Sequence, residues 1–236
     1  MSGFFCFMQI SMVPHRMPIR AVILDLDGTL VDTAGEIALA LNETLAGLGL
    51  PVISLEAATA LIGRGVRSLV ERAVEQAGAT ADLDRAVEIF EAHYGRLVAT
   101  RATPFPGVTE GLDAMHAAGL RLGVVTNKPR LFTERLLRHL GIDALFDTVI
   151  AGDDGIRRKP FGDMLAAAAK NMGVTLGETL MIGDSDNDVR AARDAGCPVW
   201  CVPYGYNEGR PVESLECDRT VATLLEAARL LELSRT

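Results

Sequence analysis

Two short stretches carry acids where apolar runs end. AVILDLDGTL, residues 21–30, places Asp25 and Asp27 one residue apart before Gly28, and LMIGDSDNDV, residues 180–189, adds Asp184 and Asp188. Carboxylates repel one another and resist desolvation, so a structure that gathers Asp25, Asp27 and Asp184 needs a compensating cation. Magnesium suits such a set: it takes hard oxygen ligands, often only one or two carboxylates, and keeps its other positions for water and a substrate phosphate. A lone DG or GD pair is an ordinary turn or helix cap. Here the acids belong to an ordered series, DLDGT at 25–29, VVTN at 124–127, RRKP at 157–160 and GDSDND at 183–188, each at or just after the end of an apolar run.

The elements that must position these residues read as alternating strands and helices. Apolar runs at 21–27, 121–127, 147–153, 179–184 and 198–204 are rich in Val, Ile and Leu without clean alternation, as expected of parallel strands covered on both faces. Helical patterns fill 108–118, 130–140, 161–172, 186–195 and 221–232. This is the signature of an α/β fold, a doubly wound parallel sheet, whose ligands bind beyond the carboxyl ends of the strands. The gap between the first two strands is too long for one crossover, and apolar stripes from Ile37 to Leu48, Val66 to Ala77 and Leu83 to Leu97 predict an inserted helical cap over 34–102. The core is then 19–33 and 103–236, with hinges near Asp32–Thr33 and 103–107. Thr33 and Glu36 have the spacing of a capping box at the first cap helix.

Composition sets the surroundings. The chain of 236 residues has a net charge of −8, which gives no overall attraction to nucleic acid or anionic membrane. Cys6, Cys197, Cys201 and Cys217 form no CxxC pair, and the four histidines are scattered, so the cysteines read as reduced thiols of a cytoplasmic protein, with no zinc constellation. Residues 1–18, MSGFFCFMQISMVPHRMP, hold an apolar run without a preceding basic residue or a small-residue cleavage site; they are expected to be a loosely attached extension upstream of a start at Met17. No segment is long and apolar enough to predict a membrane span.

Over residues 20–232 the four motifs resemble the haloacid dehalogenase-like superfamily, in its phosphatase branch with a helical cap between the first two motifs. DLDGTLVDT, LIGRGVRSLVERA, FPGVTEGL, VVTNKP, AGDD, GDSDNDVRAARDAGCPV and PYGYNEG look closest to phosphoglycolate phosphatases. One departure is FGDM after Lys159–Pro160, where the family runs on as KPxP; the lysine itself is kept. The resemblance implies that Asp25 attacks phosphorus to give an aspartyl-phosphate, and that Asp27 protonates the leaving alcohol and later activates water. It also implies that Mg²⁺ is held by Asp25, the main-chain carbonyl of Asp27 and Asp184. Lys159 would neutralise nucleophile and phosphate, Thr126 and the backbone N–H groups of Asn127 and of the Asp25 loop with Gly28 and Thr29 would donate to the phosphate, and Asp188 would support the metal's waters or Lys159.

Other residues admit two readings. Lys128 lies beside the motif but reads equally as a solvated loop lysine, and Arg157 and Arg158 either steer phosphate or lie on the surface. On the cap, Arg64 between Gly63 and Gly65, with Arg67 one turn on, offers cations for the carboxylate of phosphoglycolate. The implied partner is a small phosphorylated metabolite, acted on by a monomer or homodimer. A dehalogenase has no use for Asp27, and a phosphonate hydrolase would need a cap lysine, of which 34–102 has none. A β-phosphoglucomutase, phosphatases of pyrophosphate or sugar phosphates such as N-acetylmuramate 6-phosphate, and a non-catalytic module on the same fold remain alternatives.

Overall fold

A computed structural model describes residues 18–233; the expected N-terminal extension lies outside the described residues but for Pro18. Six parallel strands form one sheet: β1 Ala21–Leu24, β4 Arg121–Val125, β5 Thr148–Ile150, β6 Thr179–Gly183, β7 Val199–Cys201 and β8 Arg219–Thr220. Their order is β5-β4-β1-β6-β7-β8. Five coincide with the apolar runs; the two-residue, fully exposed β8 has no hydrophobic signal to read.

The absence of alternation in the strands has its cause in the layers above and below. Val22 and Leu24 pack with residues of α5 (Val108–Ala117), α6 (Arg130–His139) and α9 (Leu224–Leu233), while Ala21 and Ile23 pack with those of α7 (Asp163–Met172) and α8 (Asp186–Ala195). Every β1 side chain is therefore buried. The chain order along the sheet reverses at β1, whose neighbours are β4 and β6, so the carboxyl ends of these three strands frame the crevice where a doubly wound sheet binds its ligand.

Four helices make the cap: α1 Ala34–Gly47, α2 Leu55–Thr59, α3 Val66–Gln76 and α4 Leu83–Leu97. The stripes behave as their period requires, burying Ile37, Leu41 and Leu45 on α1, Leu69, Val70 and Ala73 on α3, and Phe90 and Tyr94 on α4. The one-turn α2 is too short to show a period. These side chains are continuous with the cluster beneath the sheet, so cap and core share apolar packing.

The chain crosses between core and cap at a two-stranded antiparallel ribbon, β2 Val31–Asp32 against β3 Thr103–Pro104. The expected capping box at Thr33 and Glu36 does not form. Thr33 makes no side-chain cap and its hydroxyl donates to Asp27 Oδ1 at 2.7 Å. Glu36 is buried and accepts the backbone N–H groups of Ala99 (3.1 Å), Arg101 (2.5 Å) and Ala102 (2.9 Å). Sequence spacing alone cannot exclude this outcome, because the competing donors lie more than sixty residues away. Glu36 thus ties the outgoing helix to the returning linker. Glu36→Ala leaves these donors without their acceptor, two of them on the buried residues Ala99 and Ala102, and at about 1–3 kcal/mol for each buried donor left unsatisfied we expect a loss of about 3 kcal/mol or more, read as a lowered urea midpoint. An unchanged midpoint would mean that the tie is dispensable.

Candidate active site

Asp25 follows β1 directly, Thr126 follows β4 and Asp184 follows β6, so adjacent strand ends deliver all three to one place. Lys159 enters from the loop before α7 with its side chain 1% exposed, and its Nζ lies 2.8 Å from Asp25 Oδ1 and 2.7 Å from Asp188 Oδ1. A third donation, to the Val125 carbonyl at 2.9 Å, completes the ammonium's hydrogen bonds. Asp188 sits in the first turn of α8, where Oδ2 accepts from Ser185 N (3.1 Å), Ser185 Oγ (2.8 Å) and Asp184 N (3.2 Å). Both its oxygens are occupied by donors, which fits a supporting role.

Asp184 is fixed from two sides, by Thr29 Oγ1 (2.8 Å) and by the main-chain N–H of Tyr206 (2.8 Å). Thr29 is fully buried and spends its hydroxyl on Asp184, so its side chain orients an acid. Gly28 serves the same acid. At φ +88° a Cβ there would lie 2.5 Å from Asp184 Oδ2, and a Cβ at Gly205 would lie 2.1 Å from Asp184 Cβ. Two glycines thus leave room for one carboxylate.

Carboxylate oxygens of Asp25, Asp184 and Asp188 lie within 4.8 Å of one another. Burial, opposed by Lys159 and reinforced by Asp188 and Asp184, pushes Asp25 up to about 8. Burial and then Asp188 push Asp184 up to about 7. For Lys159, burial acts downward but Asp188 and Asp25 outweigh it, and the ammonium is held above its usual range. A buried oxygen-only cluster with this excess of negative charge could hold a small hard divalent ion.

The raised acids set a direction for stability. Folded Asp25 and Asp184 bind protons at a pH where the unfolded carboxyls, with ordinary values of 3.8, have released them. Their stabilisation is therefore complete below about pH 4 and is lost as pH rises through about 7 and 8. After chelation the melting temperature is expected to fall between about pH 5 and about pH 8.5, and added magnesium is expected to raise it most at the alkaline end. A chelated protein equally stable across that range would contradict the cluster's electrostatics.

Asp27 lives in different surroundings. Its carboxylate turns from the cluster to Thr33 Oγ1 and to Lys128 Nζ, at 3.0 Å from Oδ1 and 2.8 Å from Oδ2. Only its main chain is left for a metal. Lys128 corrects the solvated-loop reading: its side chain is 4% exposed, its Nζ lies 4.7 Å from the Tyr94 ring centroid, and Asp27 holds it charged against burial. A signal existed, since the chain has only three lysines among its 23 basic residues and spends two of them here. Tyr206 was also missed. Its hydroxyl donates to Asp32 Oδ1 (2.9 Å) and accepts from the N–H groups of Thr33 (2.8 Å) and Ala34 (3.0 Å), linking the loop that holds Asp184 to the cap's entry.

Above Asp25 and Asp27 lies a cavity of about 40 Å³, bounded by Thr126, Asn127 and Lys128 from the core and by apolar cap side chains, with room for roughly three waters. Asn127 Nδ2 donates to the carbonyls of Gly63 (2.9 Å) and Lys159 (3.0 Å), so the residue expected at the phosphate also joins core to cap. Arg64 and Arg67 are not brought into this cavity. Arg64 pairs with Glu208 through two N–H groups and Arg67 pairs with Asp84, each about half exposed. Arg64, Arg157 and Arg158 line a separate outer groove.

The family model for haloacid dehalogenase-like hydrolases matches residues 19–196. A phosphoglycolate phosphatase of Thiobacillus denitrificans is 44% identical over 224 residues, covering 91% of this chain and 96% of the relative. That of Escherichia coli is 40% identical over 220 residues, covering 85% and 87%. The crystal structure described as a predicted phosphoglycolate phosphatase from Haemophilus somnus superposes with a TM-score of 0.86 at 30% identity, covering 90% of this chain and 97% of that one.

Proposed function

This chain belongs to the haloacid dehalogenase-like hydrolases, and from that premise we propose that it is a magnesium-dependent phosphatase that hydrolyses 2-phosphoglycolate through an aspartyl-phosphate at Asp25. The observation that carries the reading is the separation of two neighbouring carboxylates into two environments. Asp25 lies in the acid cluster against Lys159, while Asp27 lies outside it between Thr33 and Lys128. Paired carboxylates in contrasting settings are the arrangement that divides nucleophile from acid and base.

Asp25 attacks phosphorus and the ester oxygen leaves with a proton from Asp27; Asp27 then takes a proton from the water that cleaves the aspartyl-phosphate. Asp25, Asp184 and the main-chain carbonyl of Asp27 would hold the magnesium ion, which supplies positive charge to the phosphoryl oxygens when bound. Lys159 lowers the cost of ionising the buried nucleophile and adds positive charge from the side of Asp188, and the Thr126 hydroxyl donates to the phosphate. The apolar cap wall keeps bulk water from the intermediate. The names of its relatives support the substrate. The three described cysteines are free thiols, and among the described residues no helix is long and apolar enough to cross a membrane; both accord with the cytoplasmic setting we propose.

The test is magnesium-dependent phosphate release from 2-phosphoglycolate, N-acetylmuramate 6-phosphate and other hexose phosphates, pyrophosphate and β-glucose 1-phosphate. A kcat/KM for 2-phosphoglycolate well above the rest is expected. A higher value for any other member would replace the substrate, and no phosphate release from any would reject the phosphatase reading.

A further inference from the structure

The cavity wall opposite the acid cluster poses a question of its own. Ile37, Ile62, Val66, Leu69 and Phe90 make it apolar, so a charged leaving group entering it loses hydration that these side chains cannot replace. Arg64 and Arg67, the cap cations expected to meet a carboxylate, are engaged elsewhere. Two polar groups do face this space. Lys128 lines the cavity with its ammonium buried. Tyr94 is 1% exposed, and its hydroxyl meets no acceptor among the described residues, with the Lys128 ammonium as its polar neighbour.

A buried hydroxyl with no acceptor for its proton is costly and calls for an explanation. The Tyr94 ring is held in place, packed edge-on against Phe132 at 4.9 Å and stacked with Phe90 at 5.6 Å, so the hydroxyl is fixed where it stands. The Lys128 ammonium has three donors; it meets both oxygens of Asp27 and lies against Tyr94. An atom within hydrogen-bonding reach of Asp27, as the leaving ester oxygen must be, therefore lies one short step from Lys128. In 2-phosphoglycolate a single carbon separates that oxygen from the carboxylate.

We propose that the Lys128 ammonium and the Tyr94 hydroxyl form the recognition site for a carboxylate on the leaving group, placed next to the ester oxygen that Asp27 serves. The assignment rests on the phosphatase reading above and gives the cap–core cavity its selectivity. It makes the enzyme prefer compact organic phosphates that carry a carboxylate over uncharged esters of the same size. Lys128 as a mere companion of Asp27 makes a different prediction, because it would then serve every ester alike.

The experiment compares kcat/KM for 2-phosphoglycolate and for ethyl phosphate, which has a methyl group in place of the carboxylate, in the wild type, Lys128→Met and Tyr94→Phe. The ratio of the two values is expected to fall about 10-fold or more in Lys128→Met and several-fold in Tyr94→Phe, as for lost hydrogen bonds to a charged group. In Tyr94→Phe the loss should appear mainly in KM for 2-phosphoglycolate, and that variant keeps the ring and its packing should Lys128→Met fail to fold. A ratio unchanged in Tyr94→Phe and in any folded Lys128→Met, with both esters slowed together, would overturn the assignment and leave the phosphatase reading standing. A wild type without preference for 2-phosphoglycolate would instead reject the substrate, and the carboxylate site with it.

Discussion

Asp25→Asn is expected to abolish turnover, lowering kcat by about 10⁴-fold or more, the scale seen when a covalent nucleophile is removed. The amide keeps an oxygen for the Leu26 N–H that Asp25 Oδ1 accepts at 2.7 Å, so the strand end is preserved. It also removes one of three buried carboxylates that now repel one another. The chelated variant at about pH 8 should therefore melt no lower than the chelated wild type. Loss of activity together with unfolding would point to a structural role for Asp25, and retained activity would remove it from the mechanism. Phosphate release and melting temperature on the same preparation separate these outcomes.

Lys159→Met should have the opposite effect on stability and nearly as large an effect on rate. The ammonium is the partner of both Asp25 and Asp188 in a place almost closed to solvent. Its loss leaves buried acids uncompensated, which costs about 3–5 kcal/mol when one member of a buried pair is removed. In turnover the nucleophile loses the cation that favours its ionised form and the phosphoryl group loses a charge, so kcat/KM is expected to fall about 10³-fold. Magnesium should restore much of the stability by neutralising the same acids, but not the rate. A variant as stable as the wild type after chelation would show that Lys159 does not hold the cluster together.

The sheet was legible because a strand buried on both faces must be apolar throughout, and runs such as RLGVV at 121–125 show it. Asp25, Thr126, Lys159, Asp184 and Asp188 were legible as a group because each stands at a strand end, in the loop that follows or in the first turn of the next helix, where the fold gathers ligands. What escaped was set by partners distant in sequence. Glu36 reads as a capping residue until the linker at 99–102 folds back onto it. The Thr29 hydroxyl shows no partner in the sequence until Asp184 arrives from β6. Arg64 and Arg67 read as specificity residues until Glu208 and Asp84 take them. Lys128 was open to either reading because a lysine after a strand carries no mark of burial, and only the approach of Tyr94 from α4 closes over it.

The division of labour between Asp25 and Asp27 can be tested directly with Asp27→Asn and an aryl phosphate, whose leaving group departs without a proton from the enzyme. Nucleophilic attack should proceed while hydrolysis of the intermediate stalls for want of a base. The expected result is a burst of one phenolate per active site with the phosphoryl group retained on the protein, labile to hydroxylamine and mapping to the peptide that contains Asp25. Phenolate and inorganic phosphate released together, with no phosphoryl group on the protein at any time, would contradict the covalent mechanism.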